Sequence, residues 1–244
     1  MSLAEIERDA ADRLMNDLPC WFPLLLASGV SVPRTRIVRT RVPLIDLLDG
    51  KPPEGLDAFI ASLRIEAERL HGPPVFLRTG QTSHKHGWRR TCYVTDLDAL
   101  VGHVRELVEF SEIADMIGLP YQTWVLREFL DLDARFTAFD GMPVAVERRF
   151  FVAGGRVVCH HPYWPVEAIE GHTDEADWRR LLAETNAVTE AESATLLPMA
   201  QRVAEVFHDW SVDFARTKAG DWYAIDMALA RTSYHWPDCE HAQP

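Results

Sequence analysis

Apolar residues at helical spacing open the chain. Leu3, Ile6, Ala10, Leu14 and Leu18 predict a helix that Pro19 ends, followed by an apolar stretch from Trp21 to Val32. Thr35 to Val42 mixes Arg with Thr, Ile and Val and predicts a strand. Gly and Pro between Asp49 and Gly55 mark a loop. Leu56, Phe59, Ile60, Leu63, Ala67 and Leu70 predict a second helix, closed by His71-Gly72-Pro73-Pro74. Beyond it the period shortens. Val75–Arg78, Arg90–Val94 and Thr123–Leu130 read as strands, with a polar loop from Gln81 to Trp88 and a helix after Asp96. Turn signals at Asp140-Gly141 and Gly154-Gly155 predict hairpins, the second between Val146–Val152 and Arg156–His160. Asp174 to His208 reads as two helices. Trp210–Thr217 and Trp222–Met227 read as a final hairpin across Lys218-Ala219-Gly220-Asp221. Helices and antiparallel hairpins in blocks predict an α+β protein with more than one sheet.

Composition narrows the function classes. The 244 residues are 47% hydrophobic with a formal net charge of −12, which fits a globular protein and excludes a bulk electrostatic ligand of nucleic acid or membrane. The longest apolar run, Trp21 to Ala27, is too short to span a bilayer, and the mixed charges of the first twenty residues are unlike a signal peptide. Cys20, Cys92, Cys159 and Cys239 are widely spaced, without a CxxC pair, and read as reduced thiols. These features together predict a cytoplasmic protein.

The charged residues on the strands gain meaning from their order. A cation, Arg78, ends the first strand of the second block, and the following loop carries Thr82, Ser83 and Lys85. Glu128 sits on a later strand, Arg149 on the next sheet, and Asp213 and Asp226 on the two arms of the last hairpin, each after an apolar residue. Carboxylates on adjacent strands repel unless something positive sits between them. Divalent metal is a common solution, and Mg²⁺ takes carboxylate and phosphate oxygens. Cations on one lobe and metal-binding acids on the other would hold a triphosphate between two sheets.

In this order the motifs resemble the ATP-grasp superfamily. Val75–Arg78 with Thr82–Trp88 resembles its first phosphate-binding strand and loop, and Trp124–Leu130 the hinge strand that holds adenine. Glu147–Val158 resembles the strand-turn-strand of glutathione-synthetase-like members, and Val212–Asp226 the terminal hairpin with the metal ligands. Leu126-Arg127-Glu128 and Asp226 bring the chain closest to the clade related to eukaryotic cell-division-cycle protein 123 and its bacterial and phage relatives.

The resemblance implies an ATP-grasp fold of two α+β lobes with nucleotide between their sheets. It places a reduced N-terminal region at 1–72, a first lobe at about 73–130, a second at about 131–236, and a tail at 237–244. It implies that Arg78 and Lys85 contact phosphates, that Glu128, Phe129 and Leu130 hold the adenine edge, and that Asp131 or Asp133 binds ribose. Arg149 would stabilise the transferred phosphoryl group, with Lys85 beside it, and Asp213 and Asp226 would bind Mg²⁺. The implied activity is an ADP-forming carboxylate-amine ligase working through an acyl-phosphate on unknown carboxylate and amine substrates, a peptide or protein among them. The alternative is a nucleotide-dependent assembly factor without turnover. Two departures stand out: His84 and His86 occupy a glycine-poor loop, and Ala228 stands where the terminal motif carries a metal-binding Asn.

Three further features are candidates for recognition. Arg34, Arg36, Arg39 and Arg41 line one strand and suit either a solvated edge or an acidic partner. His160–Trp164 suits an acceptor pocket or aromatic packing. Ser233–His241 is expected to pack over the nucleotide site, since it lacks a second ligand pair for zinc.

Overall fold

The computed structural model describes residues 3–114 and 118–237. Two helices open it, α1 (Leu3–Asn16) and α2 (Leu18–Ala27). Pro19 does not end a helix as the sequence suggests. It occupies the first turn of α2, where a missing N–H costs nothing and the fixed φ favours the helix. Asp17, in extended conformation, makes the break between the two helices.

A four-stranded antiparallel sheet follows, built from β1 (Thr35–Arg39), β2 (Val75–Thr79), β3 (Tyr93–Val94) and β4 (Thr123–Glu128) in the order β1-β4-β2-β3. The strand expected over Arg90–Val94 forms only at Tyr93–Val94, since Arg90–Cys92 is turn. Helices α3 (Leu56–Glu68) and α4 (Leu100–Ile113) cover one face of this sheet. Their apolar stripes, with Phe59, Leu63, Val104 and Leu107, bury against Val75, Leu77, Trp124 and Leu126. Asp96 caps as expected, accepting from the Asp98 backbone N–H, although it opens a 3₁₀ turn ahead of α4. β1 and α3 both precede residue 72, and both are parts of this first lobe.

The second lobe begins with a two-stranded ribbon, β5 (Ala134–Ala138) and β6 (Met142–Ala145), turning through Phe139, Asp140 and Gly141, all at positive φ. Its main sheet has the order β10-β9-β7-β8, from β7 (Glu147–Ala153), β8 (Arg156–Pro162), β9 (Trp210–Arg216) and β10 (Trp222–Leu229). Between β8 and β9 run α5 (Val166–Ile169), α6 (Trp178–Asn186) and α7 (Glu190–Ala204). One face of the sheet, with Phe150, Val152, Val212 and Phe214, packs on α7 through Leu196, Ala200 and Val203. The other face carries the polar residues and looks at the first lobe. α2 joins the two lobes, since Leu18, Trp21, Phe22 and Leu25 share that core with Val125 of β4.

The expectation of four reduced thiols fails at Cys159, which is disulfide-bonded, while Cys20 and Cys92 are free. Spacing along the chain carries no information about a cross-link that the tertiary fold closes. The cross-link also removes the thiol argument for a reducing compartment. Cys239, with Asp238, Glu240 and His241, lies outside the described residues. Among the described residues no helix is long and apolar enough to cross a membrane.

Candidate functional site

A cleft of about 490 Å³ opens between the two sheets. The first lobe contributes the cations. Arg78 on β2 and Arg127 on β4 are both buried, and Lys85 enters from the loop after β2. The second lobe contributes the acids. Register places His161, Arg149, Asp213 and Asp226 side by side across β8, β7, β9 and β10. Side chains at paired positions share a face, so these four form one row.

Asp226 reaches that row through a β-bulge. The pairing shifts between Ala224 and Asp226, so that Asp226 rather than Ile225 stands opposite Asp213. A bulge re-aims a side chain and frees a carbonyl from the ladder. Both consequences are used here. The Ile225 carbonyl accepts from Arg127 Nη1, and Asp226 Oδ1 accepts from Arg78 Nη1 at 2.9 Å. Burial alone would raise the Asp226 pKa, yet Arg78 and Arg127 hold it below the ordinary carboxylate range. Arg127 is itself lowered by burial and by the neighbouring Arg78, and its Nε is buried without a hydrogen-bond partner.

Arg149 forks onto Asp213, with Nε to Oδ1 at 2.7 Å and Nη2 to Oδ2 at 2.8 Å. It also donates to the Tyr234 carbonyl at 3.3 Å and lies 4.7 Å from the centre of the Tyr163 ring. Lys85 Nζ donates to Tyr163 Oη at 3.1 Å and sits over the Tyr163 and Trp164 rings. Burial opposes its charge, but Tyr163, Glu147 and Asp213 together hold its proton above the usual lysine range.

Glu147, at the start of β7, is a site residue that sequence reasoning missed. It is 4% exposed, lines the cleft, and its Oε2 has no hydrogen-bond partner. Burial pushes its carboxyl up to about 7, against the pull of Lys85 and with the push of Asp213. Arg127 was missed in the same way, its charge hidden beside Glu128 in what reads as a surface alternation. Alternation along each strand was the available signal, because Arg127 and Glu147 fall at inward positions once the cleft faces are known.

The remaining expected residues fall in two groups. Phe129 and Leu130 line the cleft with Phe76, Met142, Trp164 and Ile225, giving an apolar slot beside the hinge. Glu128 lines it too, but its carboxylate is held from behind. Arg34 gives its backbone N–H to Oε1 at 2.7 Å and its Nε to Oε2 at 2.6 Å. Asp131 does not line the cleft and pairs with Lys218 at 2.7 Å. Asp133 pairs with Arg216.

The loop after β2 is shaped by histidine rather than glycine. His84 adopts φ 44° and stacks on Phe110 at 3.8 Å, and His86 stacks on Phe139 at 3.9 Å. Gly87 keeps its glycine for space, since a Cβ there would meet Thr91 Cγ2 at 3.0 Å. Arg36 and Arg39 lie on β1, an edge strand, with Arg34 and Arg41 just outside it; Arg34 is tied to Glu128 and Arg36 to Glu66. Residues 234–236 lie over the polar face, where His235 stacks on Phe151 at 3.4 Å and Trp236 approaches His161.

The comparisons agree with this geometry. The profile of an ATP-grasp domain family, the third family of its clade, matches residues 69–241. No curated protein matches the chain. Among solved structures the chain is similar to C-terminally truncated Cdc123 from Schizosaccharomyces pombe, at 13% identity and a TM-score of 0.57, over 91% of this chain and 87% of that one. It is similar to N5-carboxyaminoimidazole synthase from Aspergillus clavatus at 11% identity and 0.51, over 90% of this chain and 46% of that one. A RimK domain ATP-grasp protein from Sphaerobacter thermophilus gives 15% identity and 0.49, and the chain spans 60% of its length. Identities this low show a shared fold. The profile covers well over half of the sequence, and with the two facing sheets and the cleft between them it makes the chain a member of the ATP-grasp superfamily, in the clade family that the profile describes.

Proposed function

We propose that the protein is an ADP-forming ligase that joins a carboxylate to an amine through an acyl-phosphate. The observation that carries the reading is the convergence, on one cleft with an apolar slot, of Arg78, Arg127 and Lys85 from one lobe and Asp213 and Asp226 from the other, with Arg149 forked onto Asp213 beside them. Phosphoryl transfer asks a protein for positioning and charge neutralisation more than for a nucleophile. The apolar slot beside Phe129 and Leu130 would take adenine. Glu147 would accept from a ribose hydroxyl through its unpaired Oε2, a role the sequence had offered to Asp131 or Asp133. Arg78, Arg127 and Lys85 would hold the phosphates. The substrate carboxylate oxygen then attacks the γ phosphorus, the bond to the β–γ bridging oxygen breaks, and ADP leaves. Arg149 would stabilise the charge on the transferred group. The amine nitrogen next attacks the acyl carbon, the C–O bond to phosphate breaks, and the amine gives up its proton as phosphate departs.

The residues fit a thin Mg²⁺ site. The half-exposed Asp226 faces the cleft, Asp213 stands opposite it, and Ala228 offers no oxygen. Mg²⁺ is commonly held by one or two carboxylates with phosphates and waters completing the shell, and it neutralises phosphate charge when bound. A second reading, nucleotide binding in an assembly role without turnover, rests on that thinness, because both Asp213 oxygens are engaged by Arg149.

A thermal shift experiment tests the shared core of both readings. ATP with Mg²⁺ should raise the melting temperature, since a ligand bound only by the folded state stabilises it. Arg127→Ala should remove most of the shift, and a wild-type protein indifferent to nucleotide would overturn both. ADP release that depends on added carboxylate and amine selects the ligase; tight binding without turnover selects the assembly role.

A further inference from the structure

The row His161, Arg149, Asp213 and Asp226 crosses the second sheet, yet the cleft reaches only half of it. Asp213 and Asp226 line the cleft, whereas Arg149 and His161 do not. Both are covered: the Arg149 side chain is 14% exposed and His161 is 7% exposed. The cover is the segment after β10. It is rooted at Ser233, whose Oγ lies 2.6 Å from Oγ of the buried Ser211 and donates to the Leu229 carbonyl. Beyond that root the Tyr234 carbonyl accepts from Arg149 Nη1 at 3.3 Å, His235 stacks on Phe151 at 3.4 Å, and the Trp236 ring tilts over His161 at 5.7 Å.

This closure is poorly compensated. His161 Nδ1 lies 2.7 Å from the Pro162 carbonyl, so Nδ1 carries the proton and Nε2 is an acceptor. That Nε2 is buried without a partner, and so is the Trp236 indole N–H. An unpaired donor and an unpaired acceptor both favour a state in which water reaches them. The segment is also thinly held, with Tyr234 exposed and His235 and Trp236 half-buried. A firm root, a few contacts and unpaired polar groups beneath suit a segment that opens as a unit.

We infer that Tyr234–Trp236 is an autoinhibitory strap: closed, it keeps Arg149 and His161 out of the cleft, and it swings off the row before a substrate reaches Arg149. What the strap inhibits rests on the ligase reading, in which Arg149 meets the transferred group. That it covers the row and opens does not.

Diethyl pyrocarbonate, which acylates accessible neutral imidazole nitrogens, tests the strap on the full chain at about pH 7, with peptide mass mapping. Burial, aided by Arg149 and His235 and opposed by the Pro162 carbonyl, holds His161 down to about 4, so it is neutral there. In the wild type His161 should react at least about tenfold more slowly than the exposed His71, because it reacts only through opening. His235→Ala should speed His161 at least about fivefold, the scale of one lost ring stack, although Trp236 is still present. Ser233→Ala, which loosens the root, should act in the same direction. His235→Phe keeps a ring on Phe151 and should stay near the wild-type rate. His103, buried in the first lobe, should stay slow throughout, which separates opening from unfolding. Unchanged His161 labelling in both loosening variants overturns the inference, as does a wild-type His161 that reacts as fast as His71. The second readout is ADP release from ATP, Mg²⁺ and water. Both loosening variants should release ADP at least about threefold faster than the wild type, and His235→Phe at the wild-type rate. Faster labelling with unchanged ADP release would show a cover that does not inhibit, and would overturn the inference while leaving nucleotide binding intact. A wild type that binds no nucleotide overturns the ligase reading instead, and labelling still distinguishes an opening strap from a fixed tail.

Discussion

Glu147 illustrates how one buried side chain links stability to function. Its carboxyl keeps a proton up to about 7, whereas an unperturbed glutamate loses it near 4.5. Between those values the folded state binds more protons than the unfolded state, so this residue's contribution to stability falls as pH rises from about 4.5 to about 7. The loss is on the order of 3 kcal/mol once complete. Glu147→Gln keeps the neutral form at every pH. Denaturant titrations should therefore show the variant gaining on the wild type through that window and holding a constant advantage above it. A parallel pH dependence in the two proteins would assign the titration to other groups. A second variant reports on ribose: 2′,3′-dideoxy-ADP should bind the wild type more weakly than ADP, and Glu147→Ala, which removes the acceptor that glutamine would keep, should discriminate much less between them. Equal discrimination in both proteins would remove Glu147 from the ribose site.

At the scale of elements, strands whose faces differ in polarity were the most legible. β9 and β10 alternate so that Val212 and Phe214 bury against α7 while Asp213 turns to the cleft, and this pattern can be read without coordinates. The bulge at Ile225 could not be read, because alternation alone would not bring Asp226 opposite Asp213. Nor could α2, whose Pro19 and Pro23 look like helix breakers until the first-turn position of Pro19 is known. Tertiary ion pairs were illegible for a simpler reason, namely that their partners are far apart in the chain. Glu192 is the clearest case. On α7 it completes a capping box with Thr189, and it also accepts from Arg148 at 3.0 Å and from Arg216 at 2.6 Å. Arg148 is 1% exposed, with backbone carbonyls as its other partners. Removing one side of a buried pair leaves an uncompensated charge. Glu192→Ala should therefore cost roughly 3–5 kcal/mol in a denaturant titration, against about 1 kcal/mol for Thr189→Ala, which removes only the cap. Equal losses would mean that the cap is the whole of the Glu192 contribution.

For the whole molecule the decisive feature is that the cleft is tied together behind as well as across. In front, Arg78, Arg127 and Lys85 each bond to the opposite lobe. Behind, α2 sets Trp21 and Leu25 into a core shared with Val125 of the first sheet and Phe150 and Val212 of the second. Further anchors fix the N-terminal helices: the Leu18 N–H donates to the Gly80 carbonyl, Asn16 Oδ1 accepts from the Leu229 N–H, and Arg231 pairs with Asp12. Trp21 is 1% exposed, and the Arg127 guanidinium lies 6.0 Å from its ring centre. The residue thus supports both the joint between lobes and a cation of the site. Trp21→Ala should cost roughly 3–5 kcal/mol, the usual range for emptying a buried aromatic position. Because its partners come from both lobes, unfolding should stay a single transition while the midpoint falls. Affinity for ADP with Mg²⁺ should fall as well, since Arg127 loses the surface that backs it. Two separated unfolding transitions in the wild type would show that the lobes fold independently. A variant that lost stability but kept full nucleotide affinity would show that Arg127 is held by the Ile225 carbonyl alone.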